Sequence, residues 1–161
     1  MSNFAKAFGK KFQENKDLIR IRTFELGGHT FKVKIPLTAE YEALMIKVNQ
    51  VPDELVEKYY SEMTDSFIKS KDSLNEELGI VFTDDDVEIK GRSMKAAAKN
   101  KAVTESRILA MVQMLVPEGD FNMSEVTYEM VEELFPFSVQ IELIEKISEV
   151  INPTYGTSRG K

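Results

Sequence analysis

Residues 22–44 read RTFELGGHTFKVKIPLTAEYEAL. Phe24 and Leu26 alternate with Thr23 and Glu25, and Phe31, Val33 and Ile35 alternate with Lys32 and Lys34. A period of two marks half-buried strands. Between the two runs, Gly27-Gly28 permits the positive φ angles of a two-residue hairpin turn. Ile19 and Ile21 are out of phase with Phe24 and Leu26, so the first strand starts near Arg22 or contains a bulge. Pro36 has no N–H to donate and ends the second strand. Thr38 then caps a helix from Ala39 to about Asn49, with Tyr41, Leu44, Met45 and Val48 inward. A hairpin feeding a helix predicts an α+β fold: an N-terminal β-hairpin or small antiparallel sheet packed with about five helices.

Downstream, Pro52 suits the first turn of a second helix running to about Ser70. Its apolar face is Leu55, Val56, Tyr59, Tyr60, Met63 and Phe67. Ile80–Phe82 and Val87–Ile89 read as short strands, with Asp84–Asp86 as a solvated turn between them. Ser93 caps a helix from Met94 to Leu115, stopped before Pro117, with Ala97, Ile108, Met111, Val112 and Leu115 on its apolar side. Ser124 caps a helix from about Glu125 to Leu134. Phe135, preceding Pro136, is pushed out of helical geometry. A last helix to about Ile151 buries Val139, Leu143, Ile144, Ile147 and Val150 or Ile151.

Upstream of the hairpin, Phe4, Phe8 and Phe12 recur every four residues and share one stripe of a helix over residues 3–15. Lys6, Lys10 and Lys11 lie off the stripe. The stripe either completes the core of its own domain or is offered to a partner, and the pattern by itself leans to the first. The predicted organisation is an amphipathic arm over 1–18, one α+β domain over 19–151 and a flexible tail over 152–161.

Of 161 residues, 42% are hydrophobic and 30% charged, an ordinary globular balance. Net charge is −6, unevenly spread: residues 1–34 carry +5, whereas 117–152 hold nine acidic residues against Lys146 alone. That asymmetry suggests two contact faces of opposite sign, or else a self-complementary fold or a merely solvated acidic surface. There is no Cys, so neither a disulfide nor a thiolate metal site can form. His29 is the single His and reads as an exposed turn residue. Asp84–Asp86 lacks the ligand spacing of a calcium loop. Neither a phosphate-cradling glycine loop nor a serine nucleophile elbow occurs. The expectation is therefore a non-enzyme with no catalytic, cofactor-binding or metal-binding residues. The net acidity argues against nucleic acid as a partner, and no apolar run approaches the ~20 residues of a membrane helix.

The segments FELGGHTFKVKIPLTAEYEAL (24–44) and VEELFPFSVQIELIEKISEVINP (131–153) resemble the tail assembly chaperones of long-tailed bacteriophages. The resemblance covers about half the chain by pattern and omits 71–115. It implies a small protein of the host bacterial cytoplasm that holds the tape measure protein and recruits tail tube subunits without entering the finished tail. It brings no catalytic residues. In many members a ribosomal frameshift extends the product, and Gly160-Lys161 is a dipeptide that a slippery site encodes. Such a role needs apolar surface, mobile arms and no chemistry. The candidate partner-binding residues are Phe4, Phe8, Phe12, Met111 and Met114, Met being adaptable to varied apolar partners. Homo-oligomerisation is a further expectation. Alternative roles are a minor structural or connector protein retained in the tail, or a small acidic inhibitor that mimics nucleic acid through the 117–152 face.

Overall fold

A computed structural model describes residues 3–71 and 78–152. The expected tail lies outside the described residues from 153 onward. The fold is α+β, with seven α-helices and two small antiparallel sheets among the described residues. The chain divides into two compact units, 1–42 with 108–161, and 43–107.

The first unit opens with helices α1 (Asn3–Lys6) and α2 (Gly9–Asn15) and a 3-10 turn, Lys16–Arg20. The single arm helix expected over 3–15 is thus two. Gly9 adopts φ +87°, a left-handed conformation that interrupts helical hydrogen bonding and that glycine enters without a Cβ penalty. Strand β1 (Ile21–Leu26) pairs with β2 (His29–Lys34) from Ile21↔Lys34 to Leu26↔His29, with no bulge. Ile19 is out of phase because it lies in the 3-10 turn, ahead of the strand. Gly27 and Gly28 both have positive φ, +59° and +80°, as the hairpin pattern requires.

Arg20 ties the hairpin to the next helix. Its Nε donates to the Ile35 carbonyl at 2.8 Å, and Nη2 meets Glu40 Oε1 at 2.6 Å. The same carboxylate oxygen accepts the Leu37 N–H at 2.8 Å. Helix α3 (Thr38–Asn49) therefore starts at Leu37 with Glu40 reaching back to it, in place of the expected Thr38 cap. The Leu37 N–H, helped by Arg20, holds the Glu40 carboxyl below its usual range.

The C-terminal half of this unit supplies its helical layer. Helix α5 (Met94–Val112) ends three residues earlier than expected. Its continuation turns to lie beside β2: Lys34 N–H donates to the Met114 carbonyl at 3.1 Å, and Val116 N–H donates to the Lys32 carbonyl at 2.8 Å. Val33, between those two contacts, is fully buried. Asn122 caps a 3-10 turn, Met123–Glu125, by accepting from the Ser124 N–H. Helix α6 (Tyr128–Leu134) is then capped by Thr127, not by Ser124. Here the Met130 sulfur accepts the Thr127 N–H at 3.4 Å, taking the place that Glu or Gln has in an ordinary capping box. Phe135 is extended (φ −125°, ψ 126°), as a residue before proline should be, and α7 (Phe137–Ile151) follows Pro136. Leu143 and Ile147 on α7 are fully buried, with Phe24, Val33, Ile108, Met111, Val112 and Val131 also in the core. Gln140 is buried beside them, accepting from the Tyr128 hydroxyl at 2.8 Å and donating to the Phe135 carbonyl at 2.9 Å.

The second unit contains most of α3, then α4 (Asp53–Lys69), β3 (Ile80–Phe82), β4 (Val87–Ile89), β5 (Arg92–Ser93) and α5 as far as Arg107. Pro52 stands just before α4 as its cap residue rather than in its first turn. The three strands form a meander, β3–β4–β5. The β4–β5 turn places Lys90 (φ +52°) and Gly91 (φ +81°) both in left-handed geometry. Thr64 is fully buried on α4, where its hydroxyl donates to the Tyr60 carbonyl one turn back at 2.7 Å.

Candidate partner surface

The arm is built from residues that do not bury. From Phe4 to Arg20 no residue is buried, although the stretch contains Phe4, Phe8, Phe12, Leu18 and Ile19. The i, i+4 spacing brings the three phenylalanines together despite the break at Gly9. Phe4 and Phe8 meet edge-on with centroids 5.2 Å apart, and Phe8 and Phe12 lie at 5.1 Å. Both separations suit the attraction of a ring edge for a ring face. Phe4 is nonetheless 74% exposed and Phe8 54%. The expectation that the stripe completes the core is therefore overturned: the rings pack edge-on or tilted against one another, with Phe12 half-buried and Phe4 and Phe8 facing solvent.

Five basic residues (Lys6, Lys10, Lys11, Lys16, Arg20) accompany them over 3–20, against Glu14 and Asp17. Arg20 is held by Glu40 at 2.6 Å, and the remaining pairs are loose, Lys10 with Glu14 at 4.0 Å and Lys34 with Asp17 at 3.7 Å. At such exposure each loose pair contributes little to stability. The arm is thus a basic, aromatic surface held by few contacts of its own.

Met111 and Met114 do not join it. Met111 is 5% exposed and belongs to the core, so it presents no surface to a partner. Met114 is half-buried, and its carbonyl is engaged by β2. The i, i+3 and i+4 spacing that marked the apolar side of α5 marks the side that packs inward.

A second exposed apolar group escaped the sequence reading. Met130 and Leu134, one turn apart on α6, and Phe137 at the start of α7 are exposed, the last two at 72% and 57%. Glu129, Glu132 and Glu133 stand among them, also exposed. Residues 117–137 hold six acidic groups and no basic one. The signal was present in ELFPF: Phe135-Pro136 breaks the helix, so the apolar residues on either side cannot all share the inward face.

Other candidates for chemistry resolve into structure. The Asp84–Asp86 turn is more than a solvated loop. Asp86 Oδ1 accepts the N–H groups of Val87 at 2.7 Å and Lys95 at 3.0 Å, and Oδ2 accepts the Ser93 hydroxyl. Ser93 Oγ in turn accepts the Ala96 N–H at 3.1 Å, as a helix cap should. Desolvation raises the Asp86 pKa, but the Ser93, Lys95 and Val87 donors outweigh it and hold the carboxyl below its usual range. Burial, then the charges of Asp86 and Asp85, push the Tyr60 phenol up. His29 is exposed at the hairpin end, edge-on to Phe31 at 4.6 Å. In the second unit, the Tyr59 hydroxyl donates to Glu105 Oε1 at 2.6 Å, and Lys101 Nζ sits 4.0 Å from the Tyr59 ring centroid. No group of three or more His, Asp or Glu side chains among the described residues could hold a metal ion. No helix among them is long and apolar enough to cross a membrane. No protein-family model, curated protein or solved structure matches this chain.

Proposed function

We propose that this protein is a non-enzymatic assembly chaperone of a bacteriophage tail, acting in the host cytoplasm. It holds the tape measure protein and recruits tail tube subunits. One observation carries the reading: the Phe4–Phe8–Phe12 stripe, exposed at Phe4 and Phe8, half-buried at Phe12 and flanked by lysines, in a stretch that buries none of its residues. Apolar surface left open beside lysines is surface for a protein partner. Its helical presentation suits docking against another helix or into a groove. A long helical client offers repeated apolar stripes, and lysines steer toward acidic neighbours of those stripes. The resemblance of 24–44 and 131–153 to tail assembly chaperones names the client class. A chaperone leaves the finished particle, whereas a connector stays. Mass spectrometry of purified virions and of the infected-cell lysate separates the two. The protein is expected in the lysate and absent from virions. Stoichiometric recovery from virions would replace the chaperone role with that of a retained tail component.

A further inference from the structure

Two exposed patches of the first unit are complements of one another. The arm presents Phe4 and Phe8, with half-buried Phe12 beside them and four lysines over residues 3–16; the shoulder at α6–α7 presents Met130, Leu134 and Phe137 with Glu129, Glu132 and Glu133. Phe4, Phe8, Met130, Leu134 and Phe137 are all exposed within one chain, so a single copy does not cover either patch with the other. Charge and apolarity match in the way that distinguishes a specific contact from random collapse: opposite signs around apolar centres. Neither patch is complementary to itself, because like would meet like. That excludes a two-fold interface in which each patch packs on its own copy.

We infer that the arm of one copy docks on the α6–α7 shoulder of a second copy, head to tail. A heterologous contact of this kind propagates into a chain, or closes into a ring where the rotation permits. The inference does not rest on the chaperone reading. If both hold, a client that takes the arm competes with self-association, and the free protein stores its sticky surface against itself.

The test uses the full chain in sedimentation velocity over a concentration series. The wild type is expected to associate progressively. Raising salt from about 0.05 M to about 0.5 M should weaken association at least tenfold, because exposed charges are screened over shorter distances. An arm variant (Phe4→Ser with Phe8→Ser) and a shoulder variant (Leu134→Ser with Phe137→Ser) should each be monomeric. Mixing the two should give a one-to-one heterodimer, since each retains the patch that the other lacks. Circular dichroism checks that both variants keep their helices. If either loses them, charge reversals take their place: Lys6→Glu with Lys10→Glu on the arm, and Glu132→Lys with Glu133→Lys on the shoulder. A wild type monomeric at every concentration overturns the inference, and so does association that survives either variant. Failure of the mixed variants to pair overturns the head-to-tail geometry and with it the proposal.

Discussion

Replacing Asp86 by alanine should destabilise the second unit by about 2–3 kcal/mol. The carboxylate receives three hydrogen bonds, from the Val87 and Lys95 N–H groups and the Ser93 hydroxyl. The Lys95 N–H is a first-turn donor of α5, and losing a helix cap costs about 1 kcal/mol. The Val87 N–H is part-buried at the start of β4, and a buried donor left unsatisfied costs a further ~1 kcal/mol or more. Ser93 loses the partner that orients its hydroxyl for the Ala96 N–H, which adds a fraction of another cap. For a chain of this size the sum lowers a melting midpoint by roughly 4–12 °C. Urea titration should show a lower midpoint with unchanged slope. Amide exchange should accelerate first at Lys95 and Ala96. Asp86→Asn, which keeps an acceptor for the two N–H groups but loses the charge, should cost less than alanine. A double-mutant cycle with Ser93→Ala should show strong coupling, since both side chains serve one cap. An alanine variant within about 0.5 kcal/mol of wild type, inside the range of an ordinary surface substitution, would refute the idea that this turn anchors α5.

The remaining expectations are these. Gly27→Val with Gly28→Val should cost about 1–2 kcal/mol per position through left-handed backbone alone, since an added Cβ meets no atom within 4 Å; unchanged melting would remove the hairpin assignment. Leu143→Ala, at a fully buried position, should cost about 3 kcal/mol by cavity formation, measured by urea unfolding. Asp86 and Glu40 have folded pKa values below those of the unfolded chain. The stability they contribute is complete above the unfolded carboxylate values, about 4, and is lost as pH falls from there through the folded values. Melting from pH 7 down to about pH 2 should show this loss beginning below about pH 4, and less of it in Asp86→Asn.

Much of the fold follows from local chemistry that the sequence displays. The Gly27-Gly28 turn, the Pro36 stop, the Ser93 cap and the Phe135-Pro136 break each act within a few residues, and each stands where it was read. What was hidden depends on partners distant in sequence or on competing local bonds. Leu115 and Val116 continue the helical pattern of α5, yet pairing with Lys32 and Lys34 captures that backbone and ends the helix early. Lys90 disguised the β4–β5 turn, because lysine seldom adopts positive φ. Thr64 and Gln140 are polar yet buried, with their polar groups bonded. The candidate surface divides along the same line. The Phe stripe follows from spacing, whereas its exposure depends on what the rest of the unit leaves uncovered. Met111 shows the converse, since an adaptable side chain on an apolar helix face fills a core as readily as it meets a partner.

We propose above that the arm holds a long helical client. The most direct measurement is capture of the co-expressed tape measure protein by the full chain and by a chain lacking residues 1–15. The truncation keeps the hairpin and every helix from α3 onward, so its circular dichroism should match that of the parent apart from the arm. The full chain should recover soluble tape measure protein, and the truncated chain, still folded, at least tenfold less. Equal recovery by the two chains would contradict it.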